Sequence, residues 1–278
     1  MHEGDDSDLV RTGWIGRAHT RAANLLGRPL EGEPHGGLRC DFRSSQPSIL
    51  CRLWDSTTER FVIYKERHLS PVELVEIEVV LDRLQKFPTV NVCRVLTYEV
   101  TNHRLALLLE EASGQSLDHA HDDGWRNDTF LREFLRSLRL SDKLAIAIGM
   151  AKSIAGLHSA GLLCQDLKIE QFVVSEDYSP TMVDVDTIIL EGGYCARHPQ
   201  WASAGSPLSN SRSASVETDL FSLGVSLYEL FYDDHWWSRR VEMGTFPGVD
   251  DVLRYLLGDS KGISASDAVL MLADLIMT

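Results

Sequence analysis

A short segment in the second half of the chain brings chemically active residue types close together. Asp166, Lys168 and Gln171 lie within six residues, directly after a predicted helix end and a tight turn. Two predicted strands with a turn between them follow, and the second strand ends at the carboxylates of Asp184 and Asp186. Such a loop can place a base near a hydroxyl, an ammonium near a transferring phosphoryl group, and oxygen ligands on a divalent ion.

The elements that must position these residues change character along the chain. The first half predicts an antiparallel meander with one helix. Ser70 is the N-cap of this helix, Pro71 suits its first position, and Glu73 forms a capping box with Ser70. The second half is mostly helical by its apolar periodicity. Strands are predicted at 38–42, 48–54, 60–65, 92–100 and 104–110, and later helices at 129–139, 141–160, 216–232, 248–257 and 264–277.

The beginning of the chain predicts a poorly packed leader. A mixed stretch from Leu9 to Leu26 could form one helix, and it runs into a segment rich in Gly and Pro. We therefore expect a leader and linker over 1–37, a β-rich part over 38–111 and a helical part over 112–278.

Composition excludes several classes of protein. The 278 residues are 44% hydrophobic and 24% charged, which is typical of a globular protein, and the net charge of −14 disfavours nucleic-acid binding through bulk electrostatics. No apolar run approaches the 18 or so residues of a membrane-spanning helix.

The first 30 residues do not resemble a secretory signal. We therefore expect a cytoplasmic location as the sequence stands, and a secretory lumen or extracellular location if its N-terminus is incomplete. The five cysteines form no C-x-x-C pair, which disfavours a zinc site.

The segment from Leu157 through Asp184 resembles the catalytic and metal-binding loops of eukaryotic protein kinases, where H-R-D-L-K-P-E-N precedes D-F-G. The resemblance implies that Asp166 is the catalytic base and that Lys168 contacts the transferring phosphate. It also implies that Gln171 and Asp184 are metal ligands. The 18-residue separation of Asp166 and Asp184 fits the family's pattern.

Landmarks in the first half of the chain resemble the nucleotide-binding part of the same family. Lys65, in Phe61-Val-Ile-Tyr-Lys65, matches the strand lysine that holds the α- and β-phosphates of ATP. Its ion-pair partner is expected on the following helix, and we choose Glu78 over Glu73 and Glu76 because it lies nine residues before Phe87-Pro88.

Two further segments complete the resemblance. The run Leu105–Glu110 is similar to the fifth strand and hinge, with Leu109 as gatekeeper and Glu110 beside the nucleotide. Asp219, in Thr218-Asp219-Leu-Phe-Ser-Leu-Gly224, resembles the aspartate that braces the catalytic loop. The implied fold is α+β and bilobal, with a small β-rich lobe carrying one helix and a larger helical lobe that stops before the family's last helix.

Departures from the family bear on activity. The expected glycine-rich loop, Phe42–Ser48, has no glycine, although the backbone amides of Ser44 and Ser45 could still approach phosphate. Gln171 stands for asparagine, Cys164 and Gln165 replace the His-Arg pair, and Asp186 adds either a metal-ligating carboxylate or a turn residue.

Two of these departures resemble the divergent kinases of the secretory pathway, a group that includes the vertebrate lonesome kinase, protein O-mannose kinase and the divergent-protein-kinase-domain proteins. The resemblance implies an ATP-dependent enzyme that uses Mg²⁺ or Mn²⁺ and phosphorylates a hydroxyl, with a protein Ser or Thr as the first candidate acceptor. Two alternatives stay open, namely a pseudokinase that binds partners without turnover and a kinase-fold enzyme that acts on a glycan or small molecule.

Overall fold

The computed structural model describes residues 5–30, 49–117, 128–164, 166–193, 215–233, 242–258 and 262–277, with the side chains of 5–15 and 128–132 excepted. The fold is mixed α+β, with an antiparallel sheet in the N-terminal part and a helical C-terminal part, which confirms the coarse prediction. The chain divides into two compact units. Unit 1 comprises 1–85 with 94–111, and unit 2 comprises 86–93 with 112–278.

Unit 1 contains a four-stranded antiparallel sheet in the order β1-β2-β4-β3. Four of the five predicted strands form, and the predicted strand at 38–42 lies outside the described residues. The elements are α1 (Asp5–Leu26), β1 (Ile49–Asp55), β2 (Arg60–His68), α2 (Pro71–Lys86), β3 (Val95–Thr101) and β4 (Arg104–Glu110).

The start of α2 forms the predicted capping box. The Glu73 backbone N–H donates to Ser70 Oγ over 3.3 Å, and the Ser70 backbone N–H donates to Glu73 Oε2 over 2.8 Å. Each side chain thus satisfies a backbone donor that has no partner within the helix. The apolar face behind this cap, with Ile77, Leu81 and Leu84, is buried.

Helix α1 differs from the poorly packed leader that the sequence predicts. Ala18 and Ala22 are buried in one core with Ile49, Tyr64 and Leu108 of the sheet. Arg21 then donates to Glu99 Oε2 over 2.9 Å and lies 3.3 Å from Glu66 Oε1. The two small alanines let the helix backbone approach the sheet closely, so α1 is an integral layer of unit 1.

Unit 2 is helical, with short strands that carry its loops. All five predicted helices form, with ends within two residues of the predicted ones. The strands pair as β5-β7-β8 and β6-β9. The elements are β5 (Gln115–Ser116), α3 (Asp128–Ser137), α4 (Leu140–Ser159), β6 (Leu162–Cys164), β7 (Phe172–Val174), β8 (Pro180–Met182), β9 (Ile188–Leu190), α5 (Val216–Tyr232), α6 (Pro247–Leu256) and α7 (Ala265–Met277).

The segment 86–93 lies against α4 and β8 of unit 2. Met182 N–H donates to the Asn91 carbonyl and Cys93 N–H donates to the Met182 carbonyl, each over 2.8 Å. Gly156 of α4 leaves room for Thr89, because a Cβ at Gly156 would lie 2.3 Å from Thr89 Cγ2. This anchoring holds β8, and with it the turn that follows β8, against the central helix of the unit.

Within the described residues, no helix combines the length and apolar character needed to cross a membrane.

Candidate functional site

The loop between β6 and β7 places a carboxylate and an ammonium in direct contact. Lys168 Nζ donates to Asp166 Oδ2 over 2.8 Å, and the two side chains are 19% and 13% exposed. The neighbouring Leu167 and Ile169 are buried and anchor the loop by their side chains. A partly exposed acid–ammonium pair on an anchored loop can accept a proton from a hydroxyl and stabilise developing negative charge beside it.

A second contact joins this loop to the turn after β8. Gln171 Nε2 donates to Asp184 Oδ2 over 3.3 Å, and Val183 N–H donates to the Gln171 carbonyl over 2.9 Å. Thr187 Oγ1 donates to the Asp184 carbonyl over 2.8 Å and closes the 3₁₀ turn Val185–Thr187. Asp166, Lys168, Gln171 and Asp184 therefore belong to one connected cluster in unit 2.

Asp219 supports this cluster from the first turn of α5. It is 1% exposed, and its Oδ2 accepts the Cys164 backbone N–H over 2.7 Å and His158 Nε2 over 3.0 Å. Burial raises the pKa of Asp219 to about 6, although the hydrogen bonds from His158 and Cys164 act in the opposite direction. The carboxylate holds the end of β6, two residues before Asp166, at a fixed point.

The thiol of Cys164 is enclosed beneath the loop. Burial raises its pKa well above the usual range, and the carboxylates of Asp219, Asp184 and Asp166 act in the same direction. Its Sγ lies 3.9 Å from Gln171 Oε1 and 3.6 Å from Met182 Sδ. Cys164 is therefore a neutral packing residue at the position where the kinase pattern has histidine.

The motif in the sequence does not identify His158 as a site residue. The signal that could have identified it is its place in the last turn of α4, eight residues before Asp166. A histidine there can interact favourably with the helix C-terminus and still reach an acidic partner. In the structure that partner is Asp219.

Unit 1 holds the residues that the resemblance connects with nucleotide. Lys65 lies half-buried on β2, in register with Leu50 of β1 and Leu107 of β4. Leu109 is 2% exposed on β4, and the neighbouring Glu110 forms an ion pair with Arg60 at 2.9 Å. Ser44 and Ser45 lie outside the described residues.

The glutamates of α2 differ in what they contact. Burial opposes the ionisation of Glu73, but Arg67 and Ser70 outweigh it and lower the pKa of Glu73. Glu73 is thus committed to the start of its own helix. Glu78 is exposed, and its backbone carbonyl accepts a hydrogen bond from Tyr98 at 3.3 Å.

The residues that could hold a divalent ion are few. Asp184 is partly exposed, whereas Asp186 is 3% exposed within the 3₁₀ turn. In the part of the chain that the structure describes, no three His, Cys, Asp or Glu side chains group as a metal site. Mg²⁺ usually takes one or two protein carboxylates and completes its shell with water and substrate phosphates, so a single carboxylate such as Asp184 fits this ion.

No protein-family model matches this chain.

Proposed function

We propose that the chain is an ATP-dependent phosphotransferase with a protein-kinase-like fold, and that it transfers the γ-phosphoryl group of ATP to a hydroxyl. The first candidate acceptor is the side chain of a protein Ser or Thr. The observation that carries the proposal is the connected cluster of unit 2. It joins an acid–ammonium pair, Asp166 with Lys168, through Gln171 to the carboxylate of Asp184.

Asp166 and Lys168 each have a role in this reaction. The acceptor oxygen forms a bond to the γ-phosphorus while the bond from phosphorus to the bridging oxygen of ADP breaks, and the bond electrons leave with ADP. Asp166 orients the acceptor and takes its proton. Lys168, 2.8 Å from Asp166, steadies the charge on the transferring group.

The remaining assignments follow the resemblance. Lys65 would hold the α- and β-phosphates, with Glu78 as its ion-pair partner, and Leu109 and Glu110 would lie beside the base. Asp184 would ligate Mg²⁺ or Mn²⁺, and the ion supplies charge neutralisation to the phosphates. Asp219 touches no reacting group and positions the loop through Cys164.

A pseudokinase is the second candidate, and the observation that favours it is the absence of glycine in Phe42–Ser48. Side chains in place of glycine restrict the approach of backbone amides to phosphate. This candidate and the enzyme make different predictions for turnover, while a glycan kinase would differ from a protein kinase only in its acceptor.

A thermal-unfolding series tests the nucleotide and metal assignments. Wild type should gain about 2.7 kcal/mol at an ATP–Mg²⁺ or ATP–Mn²⁺ concentration of 100 times Kd, which raises Tm by about 5–10 °C for a chain of this size. Asp184→Asn should lose the metal-dependent part of the rise. Glu176→Gln, an exposed neighbour in the β7–β8 turn, should keep all of it. A wild-type Tm unchanged by ATP with either metal would contradict the proposal.

A further inference from the structure

The side chain of Gln171 is buried among three polar partners. Only 6% of the residue is exposed. Its Oε1 accepts the Lys168 backbone N–H over 3.3 Å and lies 3.9 Å from Cys164 Sγ, while its Nε2 donates to Asp184 Oδ2 over 3.3 Å. The amide thus connects the loop after β6, the last residue of β6 and the turn after β8.

The identity of these partners fixes which way the amide faces. A backbone N–H can only donate, so the Gln171 atom opposite Lys168 N must be the oxygen. An ionised carboxylate can only accept, so the atom opposite Asp184 Oδ2 must be the amide nitrogen. Turning the amide over would put NH₂ against N–H and oxygen against carboxylate, and both hydrogen bonds would be lost. The thiol of Cys164 adds a further donor on the oxygen side.

A metal ligand at this position would have to present its oxygen beside Asp184, and the structure presents nitrogen there. We propose that Gln171 is a positioning residue, which orients the Asp184 carboxylate and ties it to the loop carrying Asp166 and Lys168, and that it does not ligate the divalent ion. This replaces the expectation, drawn from its place in the kinase pattern, that Gln171 is a ligand. The inference rests on the proposed function only where it takes Asp184 as the ligand of the ion.

The backbone of Gln171 strengthens the same connection. Its N–H donates to the Lys168 carbonyl over 3.1 Å, and its carbonyl accepts Val183 N–H over 2.9 Å. Gln171 thus makes two hydrogen bonds to Lys168 within the loop and two to the residues around Asp184, one from its side chain and one from its main chain in each case. A displacement of Asp184 would therefore shift Gln171 and disturb its hydrogen bonds to Lys168, which lies two residues from Asp166.

Chemical unfolding in EDTA tests the contact without any metal or activity. Gln171→Glu keeps the oxygen that Lys168 N–H needs and replaces the donor by a second carboxylate facing Asp184. We expect the unfolding equilibrium constant to rise by about tenfold. In an Asp184→Asn background, donor and acceptor are exchanged, and the same change should cost less than about threefold. Equal effects of Gln171→Glu in both backgrounds would overturn the proposal.

An uncharged pair separates the hydrogen bond from charge repulsion. Gln171→Met and Asp184→Ala each remove one partner and add no charge. The two changes should be coupled by about three- to tenfold in the unfolding equilibrium constant. Strictly multiplicative effects would mean that Gln171 does not hold Asp184, and would also overturn the proposal.

Hydrogen exchange tests the claim about the ion. Binding of Mn²⁺ to wild type in the presence of a non-hydrolysable ATP analogue is first measured by EPR. Saturating Mg²⁺ with the same analogue should then leave the protection of the Lys168 amide unchanged, because Gln171 Oε1 stays bonded to it. Loss of that protection would show the oxygen turning to the ion and would overturn the proposal. If no Mn²⁺ binds, the phosphotransferase proposal fails, while the coupling in EDTA still decides whether Gln171 positions Asp184.

Discussion

At the scale of single residues, Asp219 has the least common environment in the site. It is a carboxylate with 1% exposure, and its two observed partners are a backbone N–H and an imidazole nitrogen. A buried carboxylate is costly unless it is hydrogen-bonded, and here the bonds hold the end of β6. The position of the loop that carries Asp166 is therefore tied to the protonation of one buried group.

The raised pKa of Asp219 has a definite sign in the stability of the protein. The unfolded chain releases this proton near the ordinary value of 3.8, whereas the folded protein keeps it up to about pH 6. Over this window the folded state binds more protons, so the free energy of unfolding falls as the pH rises. Across the whole titration of Asp219, the free energy of unfolding falls by about 3 kcal/mol.

Asp219→Asn should remove this slope. Asparagine keeps an oxygen for Cys164 N–H but does not titrate, so the mutant should gain relative to wild type as the pH rises from about 4 to 6. Urea unfolding at several pH values measures the difference. In Asp177→Asn the sign reverses and the window lies below the ordinary pKa of 3.8, because hydrogen bonds from Ser175 and Ser179 lower the pKa of Asp177 in the folded protein. Parallel curves for wild type and Asp219→Asn would contradict the account of the buried carboxylate.

At the scale of elements, the central helix α4 holds the segment 86–93 by close approach. The two meet at Gly156 and Thr89, and a Cβ at the glycine would lie 2.3 Å from Thr89 Cγ2. Interiors packed this closely do not absorb an added methyl group without displacement. The glycine is therefore required for packing, in spite of its cost to helix stability.

Gly156→Ala should lower the free energy of unfolding by about 1–3 kcal/mol, since overpacking outweighs the gain in helix propensity. The second change Thr89→Ser removes the obstructing Cγ2 and should restore most of the loss. Gly16→Ala, in a part of α1 where a Cβ meets nothing within 4 Å, should instead stabilise by about 0.5–1 kcal/mol. Denaturant unfolding of wild type and the three variants measures these effects, and a Gly156→Ala protein as stable as wild type would refute the close contact.

Local signals account for the elements that the sequence predicted well. Helices α4 and α5 have apolar residues at helical spacing. The start of α2 is predictable because Ser70 and Glu73 have the side chains and the spacing of a capping box. The sequence predicts helix α1 only as one helix that could form in a poorly packed leader. Its contacts with the sheet include two buried alanines and the ion pairs of Arg21, whose partners Glu66 and Glu99 lie far along the chain. No local pattern reveals such partners.

The site shows the same limit. The order and spacing of Asp166, Lys168 and Asp184 are visible in the sequence, because the loop that carries them is continuous. The positioning role proposed for Gln171 could not be predicted, because it depends on which atom of its side-chain amide faces Asp184. That orientation is set by a backbone N–H, which leaves no trace in residue types.

At the scale of the whole molecule, an acidic chain of net charge −14 is divided into a β-rich unit and a helical unit. The acid–ammonium pair and Asp184 lie in unit 2, and Lys65 lies in unit 1. The proposed reaction requires both sets of residues, because the phosphates must be bound as well as transferred. Lys65→Met in unit 1 and Asp166→Asn in unit 2 should therefore each impair turnover.

Release of ADP from ATP in the presence of Mg²⁺ or Mn²⁺ and a panel of protein and glycan acceptors is the measurement that tests the central claim most directly. Wild type and Glu176→Gln should turn over, and Asp166→Asn should lose at least about 100-fold in rate because its base is gone. Lys65→Met should be similarly impaired. Equal ADP release from wild type and Asp166→Asn, or no release from wild type with any acceptor, would contradict the phosphotransferase account.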